Sequence, residues 1–269
     1  MPSPTENKFD NAAAYELFVG RWSRKVAKEF INWLAVPPER VWLDVGAGTG
    51  ILTDVILQQA SPAKVVGVDT SQAFIELAQE RIKDTRAQFQ MGDANHLNLS
   101  DATFDVAVAG LVLNFVPSAQ QAVNNMVRLV KPGSLVAAYV WDYADKMEMM
   151  RHFWKAAINI DPTAAELDSG KLFTICNPNN LKALFEGEGL SAVEIIAIDI
   201  EAKFKDFDDY WQPFVEAQGS VSKYLRTLND KTLTAIRDQL QKQLPIEKDG
   251  SIQLLARAWA VKGLKPQNL

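Results

Sequence analysis

The sequence predicts an α/β fold: a doubly wound sheet with helices on both faces. Three observations carry this. Short apolar runs alternate with helical periodicity between about residues 41 and 141. Those runs are apolar throughout rather than at every second position, the mark of parallel strands covered on both faces. The first two begin about two dozen residues apart, which leaves room for one crossover helix. Right-handed crossovers then wind the sheet outward in both directions from its middle.

The elements follow in order. From Asn11 to Ala35 the pattern is helical, with Trp22, Val26, Phe30, Trp33 and Leu34 recurring at three- and four-residue steps, and Pro37-Pro38 stops it. Val41 to Val45 reads as a strand and Ile51 to Gln59 as a helix. Lys64 to Val68 is a second strand ending in Asp69, and Ser71 to Thr85 a second crossover helix. Ala87–Met91 and Phe104–Ala109 are further strands. Ser118–Val130 reads as a helix, Lys131-Pro132-Gly133 as a turn, and Leu135–Trp141 as a fifth strand. Beyond Trp141 the regularity loosens. Met147–Ile158 and Asn177–Gly187 look helical, and Ala192–Ala202 is a sixth strand apolar on both faces. Phe207 to Gln243 is helical with a break near Gly219, and Pro213 either kinks it or begins a new helix. Ser251–Lys262 supplies a last strand. The piece between strands six and seven, about 45 residues, is too long for an ordinary connection.

Composition narrows the function classes. The 269 residues are 48% hydrophobic and 23% charged, with a net charge of −5, so a disordered chain and a strongly basic nucleic-acid binder are disfavoured. One cysteine, Cys176, and two distant histidines, His96 and His152, give neither a disulfide nor metal-ligand spacing. The start lacks the basic and apolar regions of a signal peptide, and no stretch is apolar enough to span a membrane; a cytoplasmic protein is expected.

The strongest chemical signal is Asp44-Val45-Gly46-Ala47-Gly48-Thr49-Gly50, between a strand and a helix at the carboxyl edge of the sheet. Dinucleotide enzymes wrap a pyrophosphate with G-x-G-x-x-G. Here the spacing is G-x-G-x-G, and an acid precedes it that would repel a pyrophosphate and suits a ligand with a positive group. Asp69 ends the next strand, about 20 residues on, where a carboxylate accepts both hydroxyls of a ribose. Gly92-Asp93-Ala94 follows the third strand. Its carboxylate can accept from an adenine amino group, or it is a turn aspartate.

With these residues the sequence resembles class I S-adenosylmethionine-dependent methyltransferases. The likeness rests on the Asp44–Gly50 loop, Val66-Gly67-Val68-Asp69-Thr70-Ser71, Gly92-Asp93-Ala94, Phe104-Asp105-Val106 and Leu129-Val130-Lys131-Pro132-Gly133, in the family's order. The flanks, Gly20-Arg21-Trp22-Ser23 among them, are similar to bacterial small-molecule enzymes of the type 11 and quinone-methyltransferase kind. The resemblance implies a Rossmann-like seven-stranded sheet, six strands parallel and the last antiparallel, with a helical lid insertion. It implies one domain over 1–269, with a cofactor-binding core at 36–142, an N-terminal lid helix at 11–35 and the insertion at 203–248. It also implies roles. Gly46, Ala47 and Gly48 line the methionyl and ribose part of S-adenosylmethionine, and Asp44 helps hold its amino group. Asp69 binds the ribose, Asp93 and Ala94 hold adenine, and Thr70 edges it. Gly110 and Leu111 present backbone beside the sulfonium. Tyr15 belongs to the same cofactor set, and Arg21 either pairs with the cofactor carboxylate or is a solvated helix arginine.

The expected reaction is methyl transfer to a small organic acceptor by in-line displacement, with no metal and no nucleic-acid partner. The Asn/Asp-Pro-Pro-Tyr/Phe and Pro-Cys elements of DNA-base methylation are absent after strand four. No base is assigned; Asn114, Asp142, Tyr143 and His152 are the candidates, the last also readable as a half-buried helix histidine. Trp211 and Phe214 are expected to meet an apolar substrate, and Tyr15, Trp22, Phe115, Trp141 and Tyr143 either line the pocket or pack in the core. Two alternatives stay open: a cofactor-binding protein without transfer activity and, disfavoured by the glycine spacing, an NAD(P)-dependent oxidoreductase.

Overall fold

The computed structural model describes residues 20–216 and 220–267. Tyr15 and the first half of the expected N-terminal helix lie outside them. Seven strands form one sheet: β1 (Val41–Val45), β2 (Lys64–Asp69), β3 (Ala87–Met91), β4 (Phe104–Gly110), β5 (Val130–Trp141), β6 (Ser191–Phe204) and β7 (Ile252–Leu264). Their order is β3-β2-β1-β4-β5-β7-β6. β7 runs antiparallel to both neighbours while every other pairing is parallel, as expected. The order reverses between β1 and β4, and such a switch point leaves a crevice at the strands' carboxyl ends.

Two apolar layers enclose the sheet. On one face lie α1 (Arg21–Leu34), α2 (Ile51–Gln59) and α5 (Glu148–Ile160), together with the insertion helices α8 (Phe207–Glu216), α9 (Ser220–Thr227) and α10 (Asp230–Gln243). The other face is covered by α4 (Ala119–Leu129) and α7 (Pro178–Gly187). α3 (Gln72–Arg81) joins β2 to β3. Local chemistry sets several starts. Ser71 caps α3, Ser118 caps α4, Asn177 caps α7 and Asn229 caps α10, each side chain accepting from a backbone N–H of the first turn.

The differences from expectation have local causes. α3 stops at Arg81 rather than Thr85: Ile82 is extended, and Asp84 accepts from the backbone N of Arg86 at 2.9 Å and from its Nε at 3.0 Å, turning the chain into β3. The Lys131-Pro132-Gly133 turn is an irregular start of β5, where pairing with β4 jumps from Phe104↔Val130 to Val106↔Leu135. Two short helices at Pro162–Leu167 and α6 (Ser169–Leu172) lie where no element was expected, begun by Asp161 and Asp168 side chains. β6 is not apolar on both faces along its length. Ile198, Ile200, Ala202 and Phe204 are buried, but Asp199, Glu201 and Lys203 between them are exposed. β6 is the outermost strand, and Lys25 Nζ from α1 donates to its Glu201 carbonyl at 3.1 Å.

Among the described residues the insertion is three helices, and Pro213 sits inside α8 without ending it; the expected break near Gly219 lies outside the described residues. Trp211 and Phe214 do not face a substrate. Both are buried, and Phe214 stacks on Phe153 of α5 with ring centroids 4.9 Å apart. Tyr210 Oη donates to the Met149 carbonyl at 2.8 Å, and Trp22 of α1 meets Phe204 of β6 at 5.0 Å. Trp22 and Trp141 are likewise core residues. The insertion therefore shares the main core. Phe153→Ala is expected to lower stability by about 3–5 kcal/mol, read as a shift in the urea midpoint, because it removes the ring that joins α5 to α8.

Candidate functional site

The loop after β1 is shaped by close packing. Gly46 has φ +72°, and a Cβ there would lie 2.2 Å from Val112 Cγ2 in the loop after β4. Only glycine satisfies both the handedness and the space. The N–H groups of Gly46 and Ala47 both donate to the Val68 carbonyl, at 2.8 and 2.9 Å, tying the loop to β2. Gly48 has φ +54°, and a Cβ there would meet nothing within 4 Å. Its backbone is thus bare toward the crevice.

Asp69 closes the next side. Its Oδ2 accepts from Gly48 N and its Oδ1 from Ser71 N, both at 2.9 Å. Burial pushes this carboxyl's pKa up, and the backbone donors oppose that. Each oxygen keeps a lone pair for a further donor. Asp93 stands on the third side, its Oδ1 accepting from Asn95 N at 2.9 Å. Ala94 is buried with its carbonyl accepting from Asn125 Nδ2, so it supports the turn behind the crevice.

The fourth side is the end of β4. A Cβ on Gly110 would lie 2.7 Å from Tyr139 Oη. Leu111 is held at φ +60°, a region leucine rarely occupies, and donates its N–H to the Tyr139 carbonyl at 2.8 Å. Such a conformation costs on the order of 1 kcal/mol and points to a functional site.

These edges surround a cavity of about 690 Å³, a size that suits a nucleoside-sized ligand. Gly46, Ala47, Gly48, Asp69, Thr70, Asp93, Gly110 and Leu111 line it. Asp44 lies beneath the loop, 0% exposed. Its Oδ2 accepts from Thr53 Oγ1 at 2.7 Å, and Oδ1 has no partner. Burial pushes its pKa up to about 7; the Thr53 hydroxyl opposes this and the Asp69 charge adds to it. Arg21 is elsewhere. It pairs with Asp209 of α8 at 3.0 Å, with its guanidinium over the Trp22 and Phe204 rings. Reasoning from sequence missed Ser23, Val112 and Tyr139 on the cavity wall.

None of the four base candidates lines the cavity. Asn114 Nδ2 is buried without a partner. Asp142 accepts from Asp145 N, and the Tyr143 ring packs on Phe173. His152 sits on α5, its backbone carbonyl taking the Gln243 side chain, and burial pushes its pKa down. Among the described residues no His, Cys, Asp or Glu group could hold a metal, and no helix is long and apolar enough to cross a membrane.

A bare glycine loop and two carboxylates at successive strand ends line one cavity, with a buried acid beneath them. Residues 43–138 match the family described as "Methyltransferase domain". A demethylmenaquinone methyltransferase of Lactobacillus johnsonii is 27% identical over 65% of this chain and 78% of its own length. An arsenite methyltransferase of Halobacterium salinarum is also 27% identical, over 65% of this chain but only 43% of the relative. In fold, the chain resembles a phosphoethanolamine N-methyltransferase of Haemonchus contortus, solved with S-adenosylhomocysteine. The TM-score is 0.61 at 15% identity, over 99% of this chain and 61% of that one. Residues 43–138 thus carry a methyltransferase domain, whose cofactor is S-adenosylmethionine.

Two measurements test the site. Asp69→Ala is expected to weaken S-adenosylhomocysteine binding by about 1–3 kcal/mol, and Gly46→Val to abolish it, by calorimetry. Stability carries a second signature. Asp44 binds its proton more tightly folded than unfolded, so wild type loses stability relative to Asp44→Asn as pH rises from the ordinary value of 3.8 to about 7. The slope is at most about 1.4 kcal/mol per pH unit, from urea unfolding.

Proposed function

We propose that this chain transfers the methyl group of S-adenosylmethionine to a small, largely apolar organic acceptor. The observation that carries the reading is the cavity wall: Leu111, Val112, Phe115 and Tyr139 adjoin the cofactor cradle, and among the described residues no lysine, arginine or histidine lines the space. When bound, the cofactor supplies a methyl group already activated on cationic sulfur.

The residues have the following parts in this reading. Asp69 accepts the ribose hydroxyls and Asp93 the adenine amino group, while the Asp44 carboxylate beneath the loop helps hold the ammonium through its charge. Gly110 and Leu111 offer backbone beside the reacting end. The aromatic faces of Phe115 and Tyr139 exclude water and favour a cation. The chain's contribution to rate is positioning. With no histidine or lysine among the described residues of the wall, the fitting acceptor is one that ionises in solution or attacks before it loses a proton, such as a hydroquinone or phenol.

The relatives' names span different acceptors. Trivalent arsenic is soft and prefers thiolates, but the one cysteine, Cys176, is buried, and burial pushes its thiol up. An apolar aromatic acceptor, of the kind named for the Lactobacillus relative, fits better. Incubation with the cofactor and a panel of hydroquinones, phenols, amines and fatty acids, read by mass spectrometry, is expected to give a methylated hydroquinone or phenol. Tight cofactor binding with no product from any member would instead mark a binding protein.

A further inference from the structure

We propose that Tyr139 is a specificity-determining residue for the methyl acceptor: its hydroxyl, held over Gly110 at the end of β4, selects an aromatic ring that carries a hydroxyl over the same ring without one. The proposal rests on the apolar-acceptor reading above and narrows it. It begins from an oxygen set beside an apolar stretch of wall. Among the described residues, the end of β4 and the loop after it present the side chains of Leu111, Val112, Phe115, Val116 and Pro117 to the cavity, and Tyr139 of β5 lines the same space. A pocket of this kind takes its affinity from apolar contact and its orientation from a few well-placed polar atoms.

Strand register fixes where that oxygen stands. Gly110 of β4 pairs with Tyr139 of β5, and a Cβ on Gly110 would lie 2.7 Å from Oη and 2.9 Å from Cζ. A larger residue at 110 would push the hydroxyl aside, so the glycine keeps the place that Oη occupies. The ring has little freedom. It is 2% exposed and packs on Phe30 of α1 with centroids 4.7 Å apart. A hydroxyl held in this way loses little side-chain entropy when a ligand meets it.

The division of polar groups points to the acceptor rather than the nucleoside. Asp69, Thr70, Ser71, Gln72 and Asp93 line the cavity at the ends of β2 and β3. Ser23 of α1 and Thr49 of the glycine loop add hydroxyls, but neither belongs to β4 or β5. β1 and β4 lie between β2 and β5. Three strand spacings amount to about 14 Å, so a ligand group that meets Tyr139 is not the ribose that meets Asp69. A hydroxyl has one donor and two acceptor sites, so Tyr139 can bond a ligand's hydroxyl while keeping a bond within the protein. A methyl group in that place could make no such bond, and a site built to bond a hydroxyl rejects the analogue lacking it.

The test is equilibrium dialysis of the full chain saturated with S-adenosylhomocysteine, with 1-naphthol and 1-methylnaphthalene as probes of matched shape. Wild type is expected to bind 1-naphthol at least about tenfold more tightly. Tyr139→Phe, which keeps the ring and its packing, should bring the two affinities within about twofold by weakening 1-naphthol alone. Its affinity for S-adenosylhomocysteine should not change. Equal binding of the two probes by wild type, or a preference that persists in Tyr139→Phe, would overturn the proposal and leave the apolar-acceptor reading standing. A parallel loss of S-adenosylhomocysteine affinity in the variant would also overturn it, by assigning the hydroxyl to the cofactor. Wild type that takes up S-adenosylhomocysteine but neither probe would overturn both the proposal and the acceptor reading.

Discussion

A carboxylate shut away from water is unfavourable, and the site is arranged around one. Asp44 is the penultimate residue of β1, which is flanked by β2 and β4 and covered by helices on both faces. Its burial pushes the pKa up toward neutrality. Hydrogen bonding from Thr53 offsets part of the penalty. The glycine loop above it is held thin by its packing. Any side chain at Gly46 would drive Val112 away, and one at Gly48 would project into the crevice. Asp69 then fastens this loop to the start of α3 through two backbone N–H groups. Charge, loop and strand ends thus form one unit, in which each part limits the conformations of the others.

Much of this was legible because it is local. The G-x-G-x-G spacing, the acids that close β1 and β2, and the serine before α3 are properties of a few consecutive residues. The doubly wound sheet followed from period and crossover handedness, which are also short-range, and its antiparallel last strand from the family resemblance. What escaped depends on distant pairing. Tyr139 lies inside β5 and reads as an ordinary strand aromatic; it reaches the cavity because β5 pairs with β4 opposite Gly110. Thr53 reads as one more residue of a helix until β1 is laid beside it. Arg21 has a plausible role near a carboxylate ligand, but the chain supplies its own carboxylate, Asp209, from about 190 residues away.

Aromatic residues were the least readable class. Trp211 and Phe214 recur on one face of an amphipathic helix, and that pattern is the same whether the face meets a ligand or a core. Here it meets α5, and among the described residues the insertion is linked to the cavity through α1, whose Trp22 and Arg21 touch β6 and α8 while Ser23 lines the wall. Similarly, the isoleucines of β6 suggested burial on both faces, while Asp199, Glu201 and Lys203 alternate with them to give a wet side. A strand with no neighbour beyond it is covered less completely than one in the middle.

That outer strand has a bearing on behaviour in crowded solution. Its unpaired amides and carbonyls are a template on which another chain can grow, which is how fibrous deposits begin. The Lys25 ammonium seated on the Glu201 carbonyl takes one of those acceptors out of use, and the mixed charges beside it make register with a stranger unfavourable. The fold thereby carries a built-in guard against end-to-end polymerisation, at the margin of the sheet farthest from β3.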